Sequence, residues 1–111
     1  GFRQADRDWK AKDLPSGTTA TVCFISGWEL VVGSVGDSCA YFNTGTQTLQ
    51  VSGNHRIEED AATGKCVVTD EIRRVRASGG SVARAEIEGK AVGPLRIWPG
   101  GLAMTRTLGD K

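Results

Sequence analysis

SGTTATVCFISGWELVVGSVGDSCAYFNTGTQTLQV, residues 16–51, alternates short β-branched and apolar runs with glycine-centred breaks. The run 18–26 (TTATVCFIS) stops at Gly27 and resumes as 28–35 (WELVVGSV), so the two read as an antiparallel hairpin turned at Ser26-Gly27. Gly36-Asp37-Ser38 punctuates the chain before a third strand, 39–43, and Thr44-Gly45 turns it into a fourth, 47–51. Four short strands joined by tight turns predict an antiparallel meander.

Working outward, residues 2–12 (FRQADRDWKAK) place Phe2, Ala5 and Trp9 at helical spacing between charges, and Leu14-Pro15-Ser16-Gly17 stops that helix. Beyond residue 52 the chain turns polar, with 61–64 (AATG) expected as an exposed insertion. A second helix is predicted over 70–78 (DEIRRVRAS), with Asp70 as its N-cap, Ile72 and Val75 on one face, and Gly79-Gly80 as its stop. Residues 81–87 (SVARAEI) alternate as a half-buried strand and turn at Glu88-Gly89. The stretch 92–98 contains Gly93-Pro94, so a strand there is interrupted or lies at an edge. Pro99-Gly100-Gly101 turns the chain into the apolar stretch 102–108. The class is α+β.

Composition bounds the function. With 111 residues the chain is one small domain or a piece of a larger one. Its 15 glycines are about twice the usual share of roughly 7%. A net charge of +1 gives no electrostatic reason to expect nucleic acid or an anionic membrane as partner. No run approaches the roughly 20 apolar residues of a membrane span, and no signal-peptide pattern opens the chain. Residue 1 is Gly rather than Met, and both ends are expected to be cut. Three widely spaced cysteines without a CxxC pair fit neither a disulfide framework nor a structural zinc site, and suit a reducing compartment. Cys23, in an apolar run, is expected to be buried. Cys39 has no adjacent cation to activate its thiol.

Four blocks carry a resemblance. They are Ser16-Gly17-Thr18-Thr19-Ala20, Val35-Gly36-Asp37-Ser38, Ala77-Ser78-Gly79-Gly80 and the run from Gly101 to Asp110, GLAMTRTLGD. Each is weak alone, but in this order and with strand-like spacers the chain resembles the metal-dependent serine/threonine phosphatases of the 2C type. The segment 93–101 (GPLRIWPGG) looks most like the plant branch. The resemblance covers nearly the whole chain. It implies part of a layered β-sandwich, two antiparallel sheets flanked by helices. Residues 1–53 would be the helix end and meander, 54–101 a helix-containing flap, and 102–111 the return to the core. It also implies two Mn²⁺ or Mg²⁺ ions per active site of the full domain, and a metal-bridging hydroxide that attacks phosphoserine or phosphothreonine in protein substrates. Hard divalent ions take oxygen ligands, acidify bound water and stabilise the displacement. The expected setting is cytoplasmic or nuclear.

The family's upstream Asp-Gly-His block, its phosphate-holding arginine and its downstream Asp-Gly block do not occur in these residues. No catalytic residue is therefore expected in this segment, which by itself is expected to be inactive. Asp37 is the one candidate metal residue: the resemblance makes it a ligand of an accessory ion, whereas aspartates in such turns also bond their own backbone. His55, the single histidine, is read as fixing the loop after the fourth strand, with general acid as the alternative. Asn54 before it replaces a carboxylate usual in the family, and Cys39 replaces an arginine. Arg106 and Asp110 are read as braces near the site rather than as substrate or metal contacts. Arg73 and Arg76 are expected to face Asp70 and Glu71 as a solvated helix surface. Trp98 is either a packed flap residue or a partner contact. The rival reading is a non-catalytic interaction module derived from a truncated phosphatase.

Overall fold

Helix α1, Phe2–Lys10, has no buried residue and is stitched along its surface by Lys10–Asp6 and Gln4–Asp8 pairs at i,i+4 spacing. The computed structural model to which it belongs describes residues 1–110, so the last residue of the expected 102–111 segment lies outside it. Eight strands follow: β1 (Gly17–Thr18), β2 (Ala20–Ser26), β3 (Glu29–Val35), β4 (Tyr41–Asn43), β5 (Thr48–Gln50), then, after helix α2 (Asp70–Ala77), β6 (Ser81–Ile87), β7 (Lys90–Trp98) and β8 (Leu108–Gly109). The chain is α+β, as its pattern predicts. It divides into two compact units, one of Gly1–His55 with the chain from Arg106 onward, the other Arg56–Thr105.

In the first unit the expected four-strand meander is instead two separate hairpins, β2–β3 and β4–β5. The two strands of the first hairpin run in register from Ala20↔Val35 to Ser26↔Glu29. Its turn is Gly27-Trp28, one residue later than Ser26-Gly27. Gly27 takes the positive φ (57°) that a first turn position favours in a two-residue hairpin, and Ser26 stays in the ladder. The hairpin is apolar on both faces. Phe24 opposite Val31 points one way and Ile25 opposite Leu30 the other, with Phe24 65% and Ile25 73% exposed. Cys23 is likewise exposed rather than buried, because no described residue packs over that stretch of strand. Toward the other end of the hairpin the Phe2 ring lies over Gly33, where a Cβ would approach it to 3.2 Å. Strand β1 pairs with β8 through Gly17↔Gly109 and Thr18↔Leu108, which brings the two ends of the first unit together.

The second unit holds a small core of Ile57, Ile72 and Leu95, with Cys66, Val82 and Ile97 packed against it; Ile72 is only 1% exposed. Helix α2 turns Ile72 and Val75 inward, as their spacing predicts. Its N-cap is Thr69, not Asp70. The Thr69 hydroxyl accepts the Ile72 N–H at 3.3 Å from an extended backbone, and Asp70 becomes the first helical residue, where its charge suits the helix dipole. Strand β7 begins at Lys90 and continues past Gly93-Pro94 because the ladder skips them: Arg84 pairs with Leu95 and Ala85 with Val92. Proline has no N–H to give a ladder, so the interruption takes the form of a bulge. The Arg84 guanidinium closes it by donating to the Gly93 carbonyl, to the Gly64 carbonyl at 3.2 Å and to Glu59 at 2.5 Å. Glu59 accepts the Leu95 N–H at 3.0 Å, and this bond first, then Arg84, holds its carboxyl below the usual carboxylate range. The neighbouring 61–64 insertion is exposed and wraps the Asp60 carboxylate, which accepts from the Ala62 and Thr63 N–H groups and the Thr63 hydroxyl.

Candidate functional site

The Gly36-Asp37-Ser38 turn leaves β3 with Gly36 at φ 100°, a conformation open to glycine and costly for a residue with a Cβ. Space demands glycine as well: a Cβ there would lie 2.3 Å from the Thr19 methyl. Thr19 sits between β1 and β2 and also bonds the far side of the turn, its hydroxyl 2.7 Å from that of Ser38. The Thr21 hydroxyl donates to the Ser38 carbonyl at 2.8 Å and lies 3.1 Å from the Ser34 hydroxyl. Thr19 and Thr21 thus form a hydroxyl-lined seat for the Asp37 turn.

His55 approaches the same turn from the loop after β5. The Gly36 N–H donates to His55 Nδ1 at 3.0 Å, and the His55 backbone N–H donates to the Gly36 carbonyl at 3.0 Å. The same Nδ1 also lies 3.2 Å from the Gly36 carbonyl oxygen, so both the ring and the backbone of His55 face this one peptide. Gly36 is therefore held at both ends of its backbone by one residue, while Asp37 next to it is half-buried.

The last block arrives through β8. Gly109 lies so close to β1 and α1 that a Cβ on it would stand 2.5 Å from the Ser16 carbonyl and 2.7 Å from the Trp9 ring. Asp110, at φ 48°, packs its carboxylate directly over Gly17, where a Cβ would meet it at 2.1 Å. The Asp6 carboxylate accepts the Gly109 N–H at 2.8 Å. That bond, followed by the one from Lys10, keeps the Asp6 carboxyl below its ordinary value. Trp9 donates its indole N–H to the Ser16 carbonyl at 2.7 Å. Between these elements lies a recess of about 300 Å³ lined by Ala5, Trp9, Ser16, Gly17, Thr18 and Leu108. None of these six residues carries an acidic or basic side chain.

The structure thus brings three sequence blocks, Ser-Gly-Thr-Thr, Gly-Asp-Ser and Leu-Gly-Asp, onto one short stretch of strand. Cys39 follows the turn half-buried, with its thiol 3.7 Å from the Asp37 carbonyl and Gln50 Nε2 3.6 Å from the sulfur. Other singled-out residues lie in the second unit. Arg73 pairs with Asp70, and Arg74, rather than Arg76, pairs with Glu71 at 3.1 Å, since both pairs close at i,i+3 spacing. Arg74 also donates to the Thr105 carbonyl at 2.7 Å, and Thr105 bonds Glu71 at 3.1 Å, tying α2 to the Met-Thr-Arg-Thr block. Trp98 donates its indole N–H to the Ala83 carbonyl at 3.1 Å and lays its ring against Gly101, leaving about a third of its surface exposed. The residues that pattern reading passed over are Thr21 and Ser34, whose hydroxyls serve the Asp37 turn. Their signal is two small polar side chains paired across otherwise apolar strands.

A divalent cation fits this donor set in kind and not in number. Asp37 offers a hard oxygen on a turn whose backbone is fixed. Among the described residues no three His, Cys, Asp or Glu side chains come together as a metal site would require. Asp37 could serve such an ion only beside donors from elsewhere.

Comparison with known proteins bears on the same residues. The family described as "Protein phosphatase 2C" matches residues 2–111. The chain is 43% identical over 112 residues to "Probable protein phosphatase 2C 3" of Oryza sativa subsp. japonica, an alignment covering 99% of this chain and 21% of that protein. It is 40% identical to "Probable protein phosphatase 2C 15" and 41% identical to "Probable protein phosphatase 2C 5" of Arabidopsis thaliana, each time over 99% of this chain and 24% of the relative. The chain therefore spans less than a quarter of the length of these relatives. No solved structure matches it significantly.

Proposed function

The chain belongs to the protein phosphatase 2C family, and we propose that it is a scaffold segment of a protein serine/threonine phosphatase that hydrolyses phosphoserine and phosphothreonine in proteins. The observation that carries the reading is the family match over residues 2–111, and the meeting of three motif blocks around the Asp37 turn supports it. In this proposal Mn²⁺ or Mg²⁺ is the cofactor of the longer protein and acidifies the attacking water there, with most of its ligands outside these residues. This chain's share is geometric. It seats the Gly-Asp-Ser turn on Thr19 and Thr21, locks β8 against β1, and presents Asp37 as an accessory donor. The three free cysteines suit action in the reducing cytoplasm or nucleus.

The test is phosphate release by the full-length protein from phosphoserine, phosphothreonine and phosphotyrosine peptides with Mn²⁺. Release from the first two, abolished by EDTA, is the expected result. No release from any of them, with a partner protein still bound, would favour the non-catalytic interaction module instead.

A further inference from the structure

Residues 73–78 read RRVRAS, which places arginines two, four and five positions before Ser78. All three arginines and the serine are exposed, Arg73 with 64% of its side chain in solvent. Ser78 closes α2 as its C-cap. Its hydroxyl donates to the Val75 carbonyl at 2.9 Å and the Arg74 carbonyl at 3.2 Å, two of the four carbonyls at the end of the helix. Past Val75 the helix buries nothing more, and Gly79-Gly80 follow it, so this last turn opens more readily than the rest of α2.

We infer that Ser78 is the phosphate acceptor of a serine/threonine kinase directed to basic sequences, and that its phosphate unfastens the last turn of α2 and draws Arg74 away from Thr105. Kinases read charge patterns, and an acidic substrate cleft complements arginines on the N-terminal side of the acceptor. In the transfer, Ser78 Oγ forms a bond to the γ-phosphorus of ATP and the bond from that phosphorus to the β–γ bridging oxygen breaks. ADP leaves, and the hydroxyl proton passes to the kinase's catalytic-loop aspartate. The esterified Oγ has no hydrogen left to donate, although its place is 2.9 Å from a carbonyl oxygen. The added charge, about −2, also stands at the negative end of the helix dipole, where it destabilises. Arg74 lies one turn back, at i,i+4 from Ser78, within reach of the phosphate. Its guanidinium donates to the Thr105 carbonyl at 2.7 Å, a neutral acceptor that a dianion outcompetes. None of this depends on the longer protein's own activity.

The experiment incubates the full-length protein with the catalytic fragment of protein kinase C and Mg²⁺–ATPγS, whose thiophosphate resists removal by a phosphatase, and maps the label by mass spectrometry. Ser78 should be labelled, and Arg73→Gln combined with Arg76→Gln should remove most of that label. No label, label confined to other residues, or a Ser78 label indifferent to the two substitutions would overturn the site. In a second arm phosphoserine is incorporated at residue 78 during translation, and amide hydrogen exchange is compared with the unmodified protein and with Ser78→Ala, which loses the hydroxyl without gaining charge. The Gly79 and Gly80 amides, which donate to the Arg76 and Val75 carbonyls, should exchange about tenfold faster in the phosphoserine protein and by a smaller factor in Ser78→Ala. Unchanged exchange, or equal exchange in the phosphoserine and alanine proteins, would overturn the charge-driven opening of the turn.

Discussion

Gly36 concentrates what single residues contribute to this structure, since it is buried, left-handed and enclosed at once. Gly36→Ala must either push the Thr19 methyl aside or open the turn, and is expected to cost at least about 2 kcal/mol. Gly27→Ala is the matched control. It has a positive φ but nothing within 4 Å of its Cβ, and should cost only about 1 kcal/mol. Denaturant melts of the two variants measure the difference, and equal losses would mean that the Thr19 contact carries no weight. At this scale the sequence was partly legible. The family resemblance singles out Asp37, Asp110 and His55. What it cannot display is that His55 reaches Gly36 or that Asp110 covers Gly17, because those contacts join residues 19 and 93 positions apart.

Elements depend on their ends and their tethers. Thr69→Ala removes the hydroxyl that accepts the Ile72 N–H and should destabilise α2 by about 1 kcal/mol, whereas Asp70→Ala should cost less. Circular dichroism with thermal melts separates the two, and a larger loss for Asp70→Ala would restore it as the cap. The tether of α1 to β8 has a pH signature. The Asp6 carboxyl is held below its ordinary value near 3.8, first by the Gly109 N–H and then by Lys10. Stability from this contact is therefore complete above that value and is lost as pH falls through the lower folded one. Asp6→Asn should flatten that acid limb in a pH series of melts while leaving the Gly109 amide with a weaker acceptor. Element type was legible because periodicity is local: 81–87 reads as a strand and is one, and Ile72 and Val75 turn inward as their spacing requires. Boundaries were less so. The turn slipped to Gly27-Trp28 and β7 started early, because cross-strand pairing decides those positions.

At the scale of the whole molecule, the β2–β3 hairpin has the composition of strands covered on both faces, with Val22, Phe24 and Val31 to one side and Ile25 and Leu30 to the other. A sheet with one solvated face would alternate apolar with polar instead. Trp28 at its tip is 108% exposed. Apolar surface of this kind, with unpaired edges on two-stranded ladders, drives association. The 111-residue chain expressed alone should thus self-associate, with a melting transition that depends on concentration. A sharp, concentration-independent transition of a monomer would contradict that. The meander expected from sequence failed at this scale for a related reason. Local turns specify hairpins, while joining β3 to β4 requires neighbouring strands to hold them in one sheet, and the described residues pair only in twos.

Under the proposed function, these residues seat the Asp37 turn and the carboxylates that would hold the metal ions lie in the remainder of a longer phosphatase. Sequencing the transcript outward from both ends of the segment tests it most directly. An Asp-Gly-His block upstream and an Asp-Gly block downstream, in the same reading frame, is the predicted result. Stop codons in place of those blocks would contradict it.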